Sequence, residues 1–289
     1  MAGKRTVLTV GLRRLAKMLK ELREQSGLSK EEVSGRTGIN VTTLYRIETA
    51  QARPQRRTLT AMLDLYDIGE PHRSDALQLL TDAQKPGLAR PFEAAVGEVY
   101  GAYINFEAEA LSARFFQASY IPGLLQTEAY ADAIMQTSWP KISDEVRGQR
   151  VRARVERAKV LTKEEPLELW VVLDEAVIRR MVGGPAVMIE QLERLLNDAA
   201  QRNVILQLLP FDAGAHPGMA GSFVVLDFQN PADPELVYVE GIASDEIIEG
   251  HVEVRRYGVM FDQLRAMALS PRNSEELIEK VIEELRQST

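Results

Sequence analysis

Cysteine is absent from the 289-residue chain, which excludes disulfides, thiolate nucleophiles and cysteine-based metal sites and suits a cytoplasmic address. Histidine is scarce: there are three (His72, His216 and His251), with no local metal-ligand spacing among them. No stretch approaches the roughly 18 consecutive apolar residues of a membrane span. The start, MAGKRTVLTVGLRR, has only a short apolar run from Val7 to Val10 and no small-residue cleavage pattern, so it does not read as a signal peptide. No P-loop, GxGxxG or GxSxG pattern occurs. No cofactor, metal or enzymatic activity is expected. What remains is ordinary for a globular protein, 45% hydrophobic and 27% charged, and the length favours two domains.

The net charge of −7 is unevenly distributed. Residues 1–60 hold 13 Lys/Arg against 5 Asp/Glu, and the rest holds 22 against 37. A basic head on an acidic body suits a chain whose head attracts phosphate. A merely solvated face would carry the same charge, so the residue pattern has to decide.

Leu12, Leu15, Ala16, Leu19 and Leu22 form one apolar stripe on a helix. Gly27 is placed to end it in a left-handed conformation. Ser29 with Glu32 three residues on is a capping box opening a short second helix, about Lys30 to Arg36, that buries Val33. Thr37-Gly38-Ile39-Asn40 reads as a tight turn. Asn40 caps a third helix, Val41 to Glu48, which buries Leu44 and Ile47. After Pro54, a fourth helix is expected from Thr58 to Tyr66. Two short helices around a glycine turn are the helix-turn-helix pattern.

The stretch GLSKEEVSGRTGINVTTLYRIE, within a match from about Leu12 to Ile68, resembles the repressor-like (XRE) family of helix-turn-helix transcription regulators. The resemblance implies that the third helix enters the major groove of double-stranded DNA. It assigns base contacts to Val41, Thr42, Tyr45 and Arg46, with packing against a neighbouring helix the alternative for Tyr45. Phosphate contacts fall to Lys30, Asn40, Thr43, Arg53, Arg56 and Arg57, with plain solvation the alternative for the loop arginines. Arg23 and Glu48 match positions that form a structural ion pair in relatives. Two departures stand out. Lys30 replaces a common Gln, and Ala50 replaces a common Gly where a left-handed alanine would cost roughly 1 kcal/mol, leaving the loop open to a different path.

Residues 71–91 read as one more helix followed by a linker, Lys85 to Pro91, between a domain at 1–70 and another at 92–289. The second domain is expected to be α+β with a small sheet. Helices are predicted over Phe92–Ala113, Thr127–Gln136, Ser143–Thr162, Asp174–Met181, Pro185–Ala199, Glu253–Ala268 and Ser274–Arg286. Strands are predicted over Leu167–Leu173, Val204–Leu209, Phe223–Phe228 and Leu236–Glu240, the last two joined through Asn230-Pro231 and Asp233-Pro234 turns. Arg147, Arg150, Arg152, Arg154 and Arg157 crowd one helix that also carries the apolar Val146, Val151, Val155 and Leu161. With Glu145 and Glu156 interspersed, a salt-bridged, solvated face is expected there in preference to a second nucleic-acid surface.

His216, in the Gly/Pro-rich loop after Asp212, is the leading candidate for a ligand or partner site, although a turn shaped by Gly and Pro explains the loop as well. Asp174, Glu175 and Arg180 form a second candidate, and acids at a helix N-terminus explain them equally. Six segments in order, FEAEA, YIPGLLQTEAYADA, LDEAVIRRMVGGP, EQLERLL, LLPFDAGAHPGMAGSF and FDQLRAMALSPRNS, resemble the C-terminal domain of actinobacterial regulators of the WhiJ-like type. That resemblance implies a regulator that works with a small BldB-like partner protein; a homodimer is expected because a single short recognition helix reads few bases. The competing class is an enzyme or nucleotide-handling protein with an accessory DNA-binding head, which convergent acids and histidine in a deep pocket would favour.

Overall fold

The computed structural model describes residues 8–85, 87–137, 141–230, 233–241 and 243–288. Pro86 of the expected linker, Pro231 of the expected turn and Val7 of the leading apolar run lie outside the described residues. The chain divides into two compact units between Arg90 and Pro91.

The first unit contains α1 (Val10–Gln25), α2 (Lys30–Thr37), α3 (Val41–Glu48), α4 (Arg56–Leu65) and α5 (His72–Asp82). Its core gathers Leu15, Leu19, Val33, Leu44, Ile47, Leu59, Met62 and Leu63, and α5 adds Ala76 and Leu80. Local signals set the boundaries. Thr9 caps α1 through the Leu12 amide at 3.2 Å. Ser29 and Glu32 exchange both bonds of the capping box, at 3.2 and 2.8 Å. Gly27 and Gly38 stand at φ +68° and +71°, where a Cβ would be strained. Ala50 keeps the left-handed conformation, at φ +57°, so the loop follows the glycine path despite the alanine.

The second unit begins with α6 (Glu93–Val96) and α7 (Glu98–Glu109), followed by β1 (Ser112–Gln117). The single helix expected over Phe92–Ala113 is therefore broken twice. Gly97 sits at φ +81° between the two helices, and Ala113 belongs to a strand. Next come α8 (Glu128–Gln136), α9 (Asp144–Ala158), β2 (Glu168–Asp174), α10 (Glu175–Arg179), α11 (Pro185–Ala199), β3 (Val204–Leu209), β4 (Phe223–Asp227), β5 (Leu236–Val239) and β6 (Glu246–Ile248). Two long helices, α12 (His251–Met267) and α13 (Pro271–Gln287), follow.

The strands form one six-stranded sheet in the order β3-β2-β1-β4-β5-β6, two strands more than expected, with β1 and β6 the additions. β1 runs parallel to β2, and β2 parallel to β3; the remaining pairings are antiparallel. An α+β unit follows a helical one. Side chains alternate across the sheet. Phe116, Val172, Val225 and Val237 meet Val254, Phe261 and Leu264 of α12 on one face. Phe115, Val224 and Tyr238, which lie in register, point to the other. There Tyr238 stacks on Tyr103 of α7, ring centroids 4.0 Å apart.

Candidate nucleic-acid interface

Two apolar residues of α3, and a third just past its end, anchor the helix. Leu44 and Ile47 are fully buried, and the C-terminal Ala50 closes against Leu12 and Ala16. Helical periodicity then turns Thr42, Thr43, Tyr45 and Arg46 to solvent, with Val41 half-buried. Tyr45 is 51% exposed, so it does not pack into its own unit. Asn40 is exposed and accepts the Thr42 amide at 2.8 Å, which orders the first turn.

The other candidate cations divide. Arg56 and Arg57 are exposed in the first turn of α4, a helix whose Gln55 N-cap makes no side-chain cap bond. Cations there oppose the helix dipole, at a cost of about 0.3–1 kcal/mol each. Arg53 is half-buried; its Nε is enclosed without an acceptor among the described residues, and burial lowers its pKa. The Lys30 ammonium lies 3.5 Å from Glu48 Oε2, so in this arrangement it is held within its own unit.

Glu48 also receives Arg23: Nε to Oε1 at 2.7 Å and Nη2 to Oε2 at 3.1 Å, both side chains nearly inaccessible. Arg23 Nη1 further donates to the Leu28 carbonyl at 3.0 Å. The two-pronged bond ties α1 to the end of α3, and the carbonyl bond ties it to the turn before α2. The Tyr66 hydroxyl nearby is pushed up to about 12, chiefly by burial and then by the Glu48 charge.

In the second unit, His216 Nε2 lies 3.4 Å from Asp174 Oδ2. Asp174 also caps α10 through the Ala176 amide at 2.8 Å. Glu175 is buried, takes Arg179 Nε at 2.6 Å and accepts the Phe211 amide at 2.9 Å. Asp174, Glu175 and His216 thus come together, while Arg180 is exposed and takes part in none of these bonds. Each acid has a structural task, pinning the loop after β3 to the end of β2. Gly218 permits the loop's close approach: a Cβ there would meet Phe116 at 2.3 Å.

The arginines of α9 correct the expectation of a solvated face. Arg154 and Arg157 are buried. Arg157 forms a two-pronged bond with Glu107 of α7, both distances 2.8 Å, and Glu107 also accepts the Tyr103 hydroxyl at 2.5 Å. Arg150 donates to the Ala95 carbonyl at 2.7 Å, and Arg147 reaches Asp132 and Asp144. The apolar Val155 is 41% exposed. Neither Glu145 nor Glu156 is the partner of the buried pair. The spacing of Arg150, Arg154 and Arg157 on one helical face, opposite an acid inside the apolar FEAEA segment, is the signal that would have found it.

No helix among the described residues is long and apolar enough to cross a membrane. Residues 14–76 match the family described as a helix-turn-helix domain, and residues 100–280 match the domain of unknown function DUF5753. No curated protein and no solved structure matches the chain. The first unit is thus a helix-turn-helix DNA-binding domain, and the second match covers more than half of the sequence: the chain belongs to the DUF5753 family.

Proposed function

We propose that this protein is a sequence-specific transcription regulator of the repressor-like (XRE) and WhiJ-like type, acting as a homodimer. In this reading, the second unit binds a ligand or a small BldB-like partner protein. The observation that carries the reading is the exposed face of α3, with Thr42, Thr43, Tyr45 and Arg46 turned away from a buried Leu44-Ile47 side. Thr42, Tyr45 and Arg46, with Val41 at the edge, read base edges; Arg reaching a guanine is the commonest specific pairing. Asn40, Thr43, Arg56 and Arg57 hold the phosphate backbone, with the free first-turn amides of α4 adding to the site. A phosphate beside Arg56 and Arg57 would offset the unfavourable placement of two cations at a helix N-terminus. Arg53 and Lys30 join only after leaving their present surroundings. Arg23 and Glu48 are structural.

Geometric grounds support the dimer. One eight-residue helix spans few base pairs, whereas two-fold pairing sets two such helices about 34 Å apart along the groove. The partner-binding role rests on the six ordered segments of the second unit. Fluorescence anisotropy on random-sequence duplex at increasing salt tests DNA binding. Affinity should fall linearly on a log–log plot as counterions are released; absent or salt-independent binding contradicts it. Light scattering at micromolar concentration tests the dimer, and a one-subunit mass with and without DNA contradicts that part.

A further inference from the structure

The second unit holds a small, partly open cavity of mixed lining, about 30 Å³, between the sheet and the α7–α9 pair. Tyr103 and Tyr238 wall it, Phe115 and Gln117 line it from β1, and Arg154 enters from α9. Its rim carries the exposed Glu240, which accepts the Tyr120 hydroxyl. The neighbouring Arg157 is neutralised by Glu107. Arg154 is not treated in the same way. It is 7% exposed, its Nη1 donates to the neutral amide of Gln126 at 2.7 Å, and its Nε has no acceptor among the described residues. Gln117, also 7% exposed, has a side-chain oxygen with no donor among the described residues. Two buried side chains with polar atoms of opposite need thus line one cavity, and one is a cation without a carboxylate partner among the described residues. Such groups cost free energy unless something pairs with them.

We propose that this cavity binds a small hydroxy or amino acid, whose carboxylate pairs with Arg154 and whose neighbouring hydroxyl or ammonium donates to Gln117. The free edge of a guanidinium is matched to a carboxylate. A cavity of about 30 Å³ has room for about two water-sized groups, a carboxylate oxygen and the neighbouring hydroxyl or ammonium, with the rest of the ligand at the open rim. Glu240 at that rim disfavours a multiply charged anion such as phosphate. The unpaired Gln117 oxygen demands a donor, which a simple fatty acid lacks.

This inference deepens the reading of the second unit as a sensing unit. Its test uses no DNA, so its failure would leave the DNA-binding reading standing. Calorimetric titration of the full chain with glycolate, alanine, acetate and inorganic phosphate is the experiment. Glycolate or alanine should bind, and Arg154→Gln should weaken that binding at least tenfold. The Arg154→Gln chain should melt no lower than the parent, because the substitution removes an unpaired buried charge. Gln117→Leu should weaken glycolate or alanine about tenfold and leave acetate unchanged, and it carries the test if Arg154→Gln fails to fold. Heat from phosphate alone, no heat from any of the four probes, or binding indifferent to both substitutions would overturn the proposal.

Discussion

Arg23 and Glu48, 25 residues apart in sequence, meet through two bonds of 2.7 and 3.1 Å and clamp the first helix to the end of the third. Burial makes the pair sensitive to the loss of one member. Glu48→Ala strands the Arg23 guanidinium and should lower the stability of the first unit by about 3–5 kcal/mol. Replacing both by apolar residues of similar size should cost far less than the sum of the single changes. Calorimetric melts of the single and double variants check this; additive losses would mean that the pair is not a unit.

Arg46 and Arg56 should separate in function. Arg46→Ala should relax discrimination at one operator position, by about 1–3 kcal/mol. Arg56→Ala should weaken operator and random duplex alike and reduce the salt slope by about 1. Anisotropy titrations on both duplexes at several salt concentrations distinguish the two. Equal behaviour of the variants would show that this sorting of contacts is wrong.

Gly38 offers a clean backbone test. It sits at φ +71°, and a Cβ there meets nothing within 4 Å. Gly38→Ala should therefore cost about 1–2 kcal/mol through the left-handed backbone alone. A melt of the variant checks the magnitude. A loss well beyond this would point to a contact that the open surroundings do not supply.

Gly218 is the opposite case. A Cβ there would lie 2.3 Å from the Phe116 ring, which is itself fully buried beneath α12. Gly218→Ala should cost about 1–3 kcal/mol by overpacking and loosen the loop that carries His216. Increased proteolytic cleavage within 210–221, alongside a lower melting temperature, is the expected result; an unchanged cleavage pattern would contradict it.

The first unit was legible because its instructions are local. Ser29 with Glu32, Asn40, Gly27 and Gly38 each fix a boundary within four residues of themselves, so helix ends could be read one at a time. The second unit was harder for two physical reasons. β1 is covered on both faces, so SARFFQ lacks the alternation of a half-buried strand and ran on from the helix before it. Long-range pairing was also invisible. Arg150, Arg154 and Arg157 mark one face of their helix, but nothing across a separation of 50 residues singles out Glu107 within FEAEA as the partner of Arg157. Asp174 and His216 stand out in the sequence for separate reasons, and only folding of the loop after β3 brings them to 3.4 Å. In the first unit, the sequence places the outward face of α3 but carries no sign that Lys30 is engaged by Glu48.

The claim on which the functional account rests is that α3 reads sequence. The most direct measurement is selection of bound duplexes from a random pool by the full chain, followed by affinity for the enriched sequence against a scrambled one. The account predicts a single enriched motif, bound about a thousandfold or more tighter than the scramble at physiological salt, and loss of most of that ratio in a chain carrying Thr42→Ala with Arg46→Ala. No enrichment, or a preference that survives both substitutions, would contradict it.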